Sequence, residues 1–174
     1  MRKLFLTIAA FALVFMSAAV PSAAAEPVSV LCTGTNVIKY SPGVTYEERT
    51  VQISGQDDAT ACVDVFAPAQ ALSFVAPFSG TFTTSCASLF TGGTGTQTLI
   101  WNTGETSRWS WTMHFSTNLN GQLVSIADGP ITSGRYAGAE LRQVVTVTTL
   151  DQTACSSDNG LQETGGPSNW VFTS

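Results

Sequence analysis

Arg108-Trp109-Ser110-Trp111-Thr112-Met113-His114-Phe115-Ser116 carries the clearest secondary-structure signal in the chain. Polar and apolar residues alternate through it without a break. Trp109, Trp111, Met113 and Phe115 fall on one face; Arg108, Ser110, Thr112, His114 and Ser116 fall on the other. A period of two with one wet face is an antiparallel β-strand. A one-residue slip would put Arg108 and His114 in the core and four large apolar residues in water, so the register is strongly specified. Trp109 and Trp111 are therefore expected inside and His114 partly exposed outside.

Working outward, Thr96 to Trp101 forms the partner strand, and Asn102-Thr103-Gly104-Glu105 is the turn between them. Gly104 can take positive φ there without steric cost. Val28 to Tyr40 is rich in Val, Ile and Thr, with Gly34 as a bulge. Ser41-Pro42-Gly43 reads as a turn. Arg49, Val51 and Ile53 alternate before Gly55 and an acidic loop holding Asp57, Asp58 and Asp64. Ala69 to Phe78, set between Pro68 and Pro77, reads as a buried crossover. Further strands are expected over 81–89, 123–127 after the Asn120-Gly121 turn, 141–149 and 170–172, with 156–169 as a long loop. No part of residues 26–174 shows a capped 3.6-residue period. Eight or nine strands with turns every 8–15 residues point to an all-β, antiparallel, Ig-like sandwich, with a β-barrel as the alternative.

Residues 1–25 have the parts of a secretory signal peptide. Arg2 and Lys3 precede an apolar run from Leu4 to Val20, and Ala23-Ala24-Ala25 gives a small-residue cleavage site before Glu26. The expected product is one secreted, extracellular domain, 26–174. Cleavage removes two of the seven Lys and Arg and none of the twelve Asp and Glu, leaving five basic residues against twelve acidic. That balance argues against a nucleic-acid partner, which needs clustered cations. It also argues against attachment to anionic membrane.

Four cysteines in an exported chain imply two structural disulfides among Cys32, Cys62, Cys86 and Cys155. Three pairings exist. Cys32 and Cys86 sit in β-like runs, as inter-sheet bridges do. Cys62 and Cys155 share a D-x-T-A-C context, Asp58 to Cys62 and Asp151 to Cys155. The favoured pairs are Cys32–Cys86 and Cys62–Cys155.

Little here points to catalysis. His114 is the single histidine, and no G-x-S-x-G, H-E-x-x-H or GxGxxG motif occurs. Glu47 and Glu48 are adjacent and would face opposite ways on a strand. Asp57, Asp58 and Asp64 lack EF-hand spacing and read as a solvated loop. No catalytic residue, metal or cofactor is expected.

The order of short motifs is also distinctive. It runs Cys32-Thr33-Gly34-Thr35, Tyr40-Ser41-Pro42-Gly43-Val44, Val51-Gln52-Ile53-Ser54-Gly55, Cys62, Ser85-Cys86, Trp101 with Asn102 to Ser107, Thr132 to Gly138, and Thr153-Ala154-Cys155. It resembles an uncharacterised family of small secreted actinobacterial proteins with four cysteines. These motifs are turns, glycines and cysteines, so the resemblance informs fold and carries over no catalytic residue. Small secreted β-proteins of this size also serve as adaptors in actinobacterial toxin particles.

The reading on sequence alone is a non-enzymatic binding module for an unknown extracellular protein. A carbohydrate-binding module is the alternative if Trp101, Trp109, Trp111 or Trp170 proves exposed. A small-molecule carrier would need an apolar cavity inside the fold.

Overall fold

In the computed structural model the described residues are 27–89, 91–117, 123–148 and 151–174. The expected signal peptide and the expected Asn120-Gly121 turn lie outside them. Eight strands follow one another among the described residues: β1 (Ser29–Val44), β2 (Arg49–Asp64), β3 (Leu72–Thr84), β4 (Gly93–Trp101), β5 (Thr106–Thr117), β6 (Leu123–Gly134), β7 (Glu140–Val147) and β8 (Leu161–Thr173). A short 3-10 helix, Gln152–Ser156, precedes β8.

Each strand pairs antiparallel with the next, and β8 pairs back onto β1, so the sheet closes. Of the two expected all-β architectures, the antiparallel, disulfide-stapled barrel is the one formed. Closure removes both sheet edges, which an open sheet must otherwise protect. The bulge expected at Gly34 is present, as a register shift between Thr33 and Gly34.

Several segments read as loops belong to strands. β1 runs through Ser41-Pro42-Gly43, and the turn comes after Val44. β2 continues through Asp57 to Asp64. The proposed crossover is the first half of β3, with Leu72, Phe74 and Ala76 buried and Pro77 facing out. β8 starts at Leu161 and passes through Gly165-Gly166-Pro167. Those glycines looked like loop residues, but closure requires them. A Cβ on Gly165 would lie 2.2 Å from the Asn36 carbonyl oxygen, and one on Gly166 would lie 2.0 Å from that of Thr146. Only bare backbone fits at such a contact.

The disulfides are Cys32–Cys62 and Cys86–Cys155. The expected Cys32–Cys86 and Cys62–Cys155 pairs are not formed. In a β-meander, residues equally far from a turn face each other. Cys32 and Cys62 flank the β1–β2 turn at 45–48 almost symmetrically, and the ladder places them directly opposite, with Cα atoms 4.0 Å apart. The D-x-T-A-C echo has no structural counterpart. Asp58 lies within β2, whereas Asp151 caps the 3-10 helix by accepting from Thr153 N. Cys155, on that helix, is bridged to the loop after β3.

The core fills one end of the barrel. Phe74 packs edge-on against Trp101 and Trp170 at centroid distances of 5.0 and 5.3 Å, and Phe172 joins them. Such aromatic pairs add about 0.5–1.5 kcal/mol each beyond their buried area. Over this plug, the turn after β6 carries Arg135, whose guanidinium lies over Trp101 and Tyr136 and pairs with Glu105. Tyr136 donates from its hydroxyl to Asp64 Oδ2 at 2.8 Å. Asp64, read as a solvated loop acid, is buried and ties β2 to this end. A smaller cluster of Tyr40, Val44, Val51, Cys155 and Leu161 packs near the opposite end.

Candidate functional site

Between the aromatic plug and the opposite end, the barrel holds a cavity of about 320 Å³. Small-molecule sites run from about 300 to 1,000 Å³, so this is room for a small ligand. The alternation that builds each strand also lines the cavity. Residues pointing in from β5 are Trp109, Trp111, Met113 and Phe115, as the opening stretch implies. Trp109 is fully buried; Trp111, Met113 and Phe115 are half-buried because they face the cavity. His114 is exposed on the outer face, as expected.

The floor is polar. In β2 the inward series runs Val51, Ile53, Gly55, Asp57, Ala59, which carries Asp57 into the interior with 3% of its surface exposed. Asn36 on β1 is its direct cross-strand partner. Three amides donate to its carboxylate. Asn36 Nδ2 reaches Oδ1 at 2.9 Å, Gln143 Nε2 reaches Oδ1 at 2.6 Å, and Gln97 Nε2 reaches Oδ2 at 2.9 Å. Gln97 also donates to the Ala76 carbonyl at 2.8 Å, and Gln143 to Ser168 Oγ at 3.2 Å. Side chains from β1, β2, β4 and β7 thus meet at one carboxylate, and Ser168 of β8 holds Gln143 from behind. Burial pushes the Asp57 carboxyl above its ordinary pKa, and the amide hydrogen bonds pull it part of the way back.

Tyr40 and Thr164 share a hydrogen bond of 2.8 Å on the cavity wall, and burial raises the Tyr40 pKa. Among the described lining residues, Asp57 and Tyr40 are the only ionisable side chains. The sequence over 118–122 and 149–150 adds no charged residue.

The wall is incomplete on one side. β3 and β4 pair only at Phe74↔Trp101 and Val75↔Ile100 among the described residues. Pro77, lacking an N–H, lies two residues past Val75. Beyond it, residues of both strands border the cavity: Phe78, Gly80 and Phe82 from β3, and Thr94, Thr96 and Gln97 from β4. Phe82 is the register partner of buried Val51, so it points inward, yet it is 55% exposed. An inward phenylalanine meets water only where the neighbouring strand has separated.

None of the four tryptophans is exposed. Trp101, Trp109 and Trp170 are buried and Trp111 is half-buried in the cavity wall, so no tryptophan platform stands on the outer surface. Among the described residues no group of three or more His, Cys, Asp or Glu gathers as metal ligands, and Asp57, Asp58 and Asp64 do not converge. No described helix is long and apolar enough to cross a membrane. Two disulfides fit an oxidising, extracellular setting. The sequence reading named none of Asn36, Gln97 and Gln143, and it placed Asp57 in solvent. The available signal was the period-two run from Val51, which extends unbroken to Asp57. Compared with models of protein families, with curated proteins and with solved structures, the chain matches none.

Proposed function

We propose that this chain is a secreted, non-enzymatic binding protein that holds one small, largely apolar molecule inside its barrel. The observation that carries this reading is the 320 Å³ cavity, with apolar walls from β5 and β3 standing on a polar floor at Asp57. A concave, mostly apolar space with a few convergent polar groups is the general form of a ligand site. The floor is built for holding: Asp57 is locked by three neutral amides, and the Tyr40 and Thr164 hydroxyls bond each other. Among the described residues there, no nucleophile is hydrogen-bonded to a base, one of the arrangements that activates a nucleophile for covalent catalysis. Residues 1–25, with the pattern of a signal peptide, and the two disulfides support export.

Native mass spectrometry of the exported protein from culture supernatant tests this reading. The expected spectrum contains the protein plus one small molecule. Ser125 is a small residue on the cavity wall. Ser125→Phe should fill the space and lose the adduct while keeping the fold. Retention of the adduct by that variant would remove the lumen as the site.

The protein-binding reading has its own observation. Leu31 on β1 faces Val63 on β2 and Val171 on β8, and all three are exposed, with Leu31 at 52% and Val63 at 54%. This row, with Val65 and Phe66 beyond it, is a surface a protein partner could cover. A supernatant pull-down with the tagged mature protein, repeated with Leu31→Glu/Val63→Glu, checks it. A partner retained by the double variant would eliminate this face.

A further inference from the structure

We propose that the lumen selects a small organic amine, with an apolar body against Trp111 and its aromatic neighbours and a protonated nitrogen at Asp57. This rests on the reading of the lumen as the ligand site.

Charge carries the inference furthest. Asp57 is a buried carboxylate, and every side-chain group that hydrogen-bonds it is a neutral amide: Asn36, Gln97 and Gln143. No lysine, arginine or histidine borders the cavity among the described residues. A carboxylate offers about four lone-pair positions, and three donors occupy it here. Oδ1 receives two of them and Oδ2 one, so Oδ2 retains room for a donor. A buried charge without a counter-charge is costly, and a cation that reaches it recovers part of that cost. A ligand ammonium supplies the missing partner.

The walls agree with this assignment. Phe78, Trp111 and Phe115 border the same cavity. Aromatic faces attract ammonium groups, most strongly where water is excluded. They also bury an apolar body. A carboxylate or phosphate end would meet Asp57 with no cation to offset the repulsion. A neutral hydroxyl could donate to Oδ2, but it brings no positive charge to offset that of the carboxylate. The cavity sets the size: at about 320 Å³ it lies at the small end of small-molecule sites. One aromatic ring with a short aminoalkyl chain is of that size.

Three probes that share a body separate the possibilities: phenylbutylamine, phenylbutanol and phenylbutyrate. They are titrated at neutral pH into the intact disulfide-bonded protein by calorimetry, with tryptophan emission followed in parallel. Trp109 and Trp111 both border the cavity, so occupancy should change that emission. The amine should bind tighter than the alcohol by about tenfold or more, because an ammonium adds the attraction of opposite charges to the hydrogen bond that either probe can make. Phenylbutyrate should bind more weakly than the alcohol. Asp57→Asn should abolish the preference for the amine over the alcohol. Selectivity in the unaltered protein decides the matter even if that variant fails to fold. Equal binding of amine and alcohol, phenylbutyrate as tight as either, or full amine preference in Asp57→Asn would overturn the amine assignment and leave the lumen site standing. No binding by any probe, with unchanged emission, would overturn the lumen site and this assignment with it.

Discussion

Gln143 donates to Asp57 across 2.6 Å inside the barrel, joining β7 to β2, strands that are not neighbours in the sheet. The bond ties opposite parts of the wall through one carboxylate, so that carboxylate's ionisation is felt by the whole fold. Burial raises the Asp57 pKa, so the folded protein holds this proton more tightly than the unfolded chain does. Its contribution to stability is fully present below the ordinary carboxyl value, near pH 4, and is lost as pH rises through the raised value. Asp57→Asn removes that titration. Thermal melts from acid to neutral pH should show the parent losing ground against the variant as pH rises, whatever constant offset the altered hydrogen bonds introduce. Parallel curves would show that burial does not perturb this group.

Trp109 and Trp111 are two residues apart on one face but should respond differently to truncation. Trp109 is fully buried, and its indole N–H donates to the Gly129 carbonyl at 3.1 Å. Trp109→Ala should cost about 3–5 kcal/mol, as large core truncations do. Trp111 already faces open space, so Trp111→Ala should cost clearly less while enlarging the cavity and weakening any lumen ligand. Chemical denaturation of both variants checks this. Equal losses would mean that Trp111 is core and that no usable cavity stands beside it.

The two disulfides should be separable by peptide mapping without reduction, which should give Cys32–Cys62 and Cys86–Cys155 peptides. Their sequence separations are 30 and 69 residues. In the chain-entropy picture each closure contributes roughly 4 kcal/mol as an upper figure. Cys32 and Cys62 lie in the core, so Cys32→Ser/Cys62→Ser also buries two hydroxyls among apolar neighbours and should be the more damaging change. Cys86→Ser/Cys155→Ser buries one hydroxyl, at position 155 in the smaller cluster, and frees the loop after β3 from the 3-10 helix, so it should keep the far-ultraviolet signature of the barrel. A greater loss in the second variant would contradict this ranking.

How much of this was legible in the sequence differs from segment to segment. The β5 alternation, the turn at Asn102 to Glu105 and the Gly34 bulge are local, and local pattern was enough. Sandwich and barrel share the same alternation and turns. What separates them is pairing between β1 and β8, a contact between the two ends of the chain that no local pattern encodes. Gly165 and Gly166 resemble loop residues for the same reason, since the close approach that needs them comes from distant strands. Asp57 was misplaced because charged residues are rarely buried, although its position in the inward series of β2 was readable. Its partners Asn36, Gln97 and Gln143 are scattered over 108 positions of sequence, and only closure of the barrel brings them together.

The central claim is that small molecules bind inside this barrel and not on its outer face. A nuclear magnetic resonance titration of nitrogen-labelled protein with phenylbutylamine tests it most directly. Binding in the lumen should shift the indole N–H signals of Trp109 and Trp111 and the side-chain amides of Asn36, Gln97 and Gln143, with Leu31, Val63 and Val171 unmoved. Shifts confined to the Leu31, Val63 and Val171 row, with the interior amides silent, would contradict it.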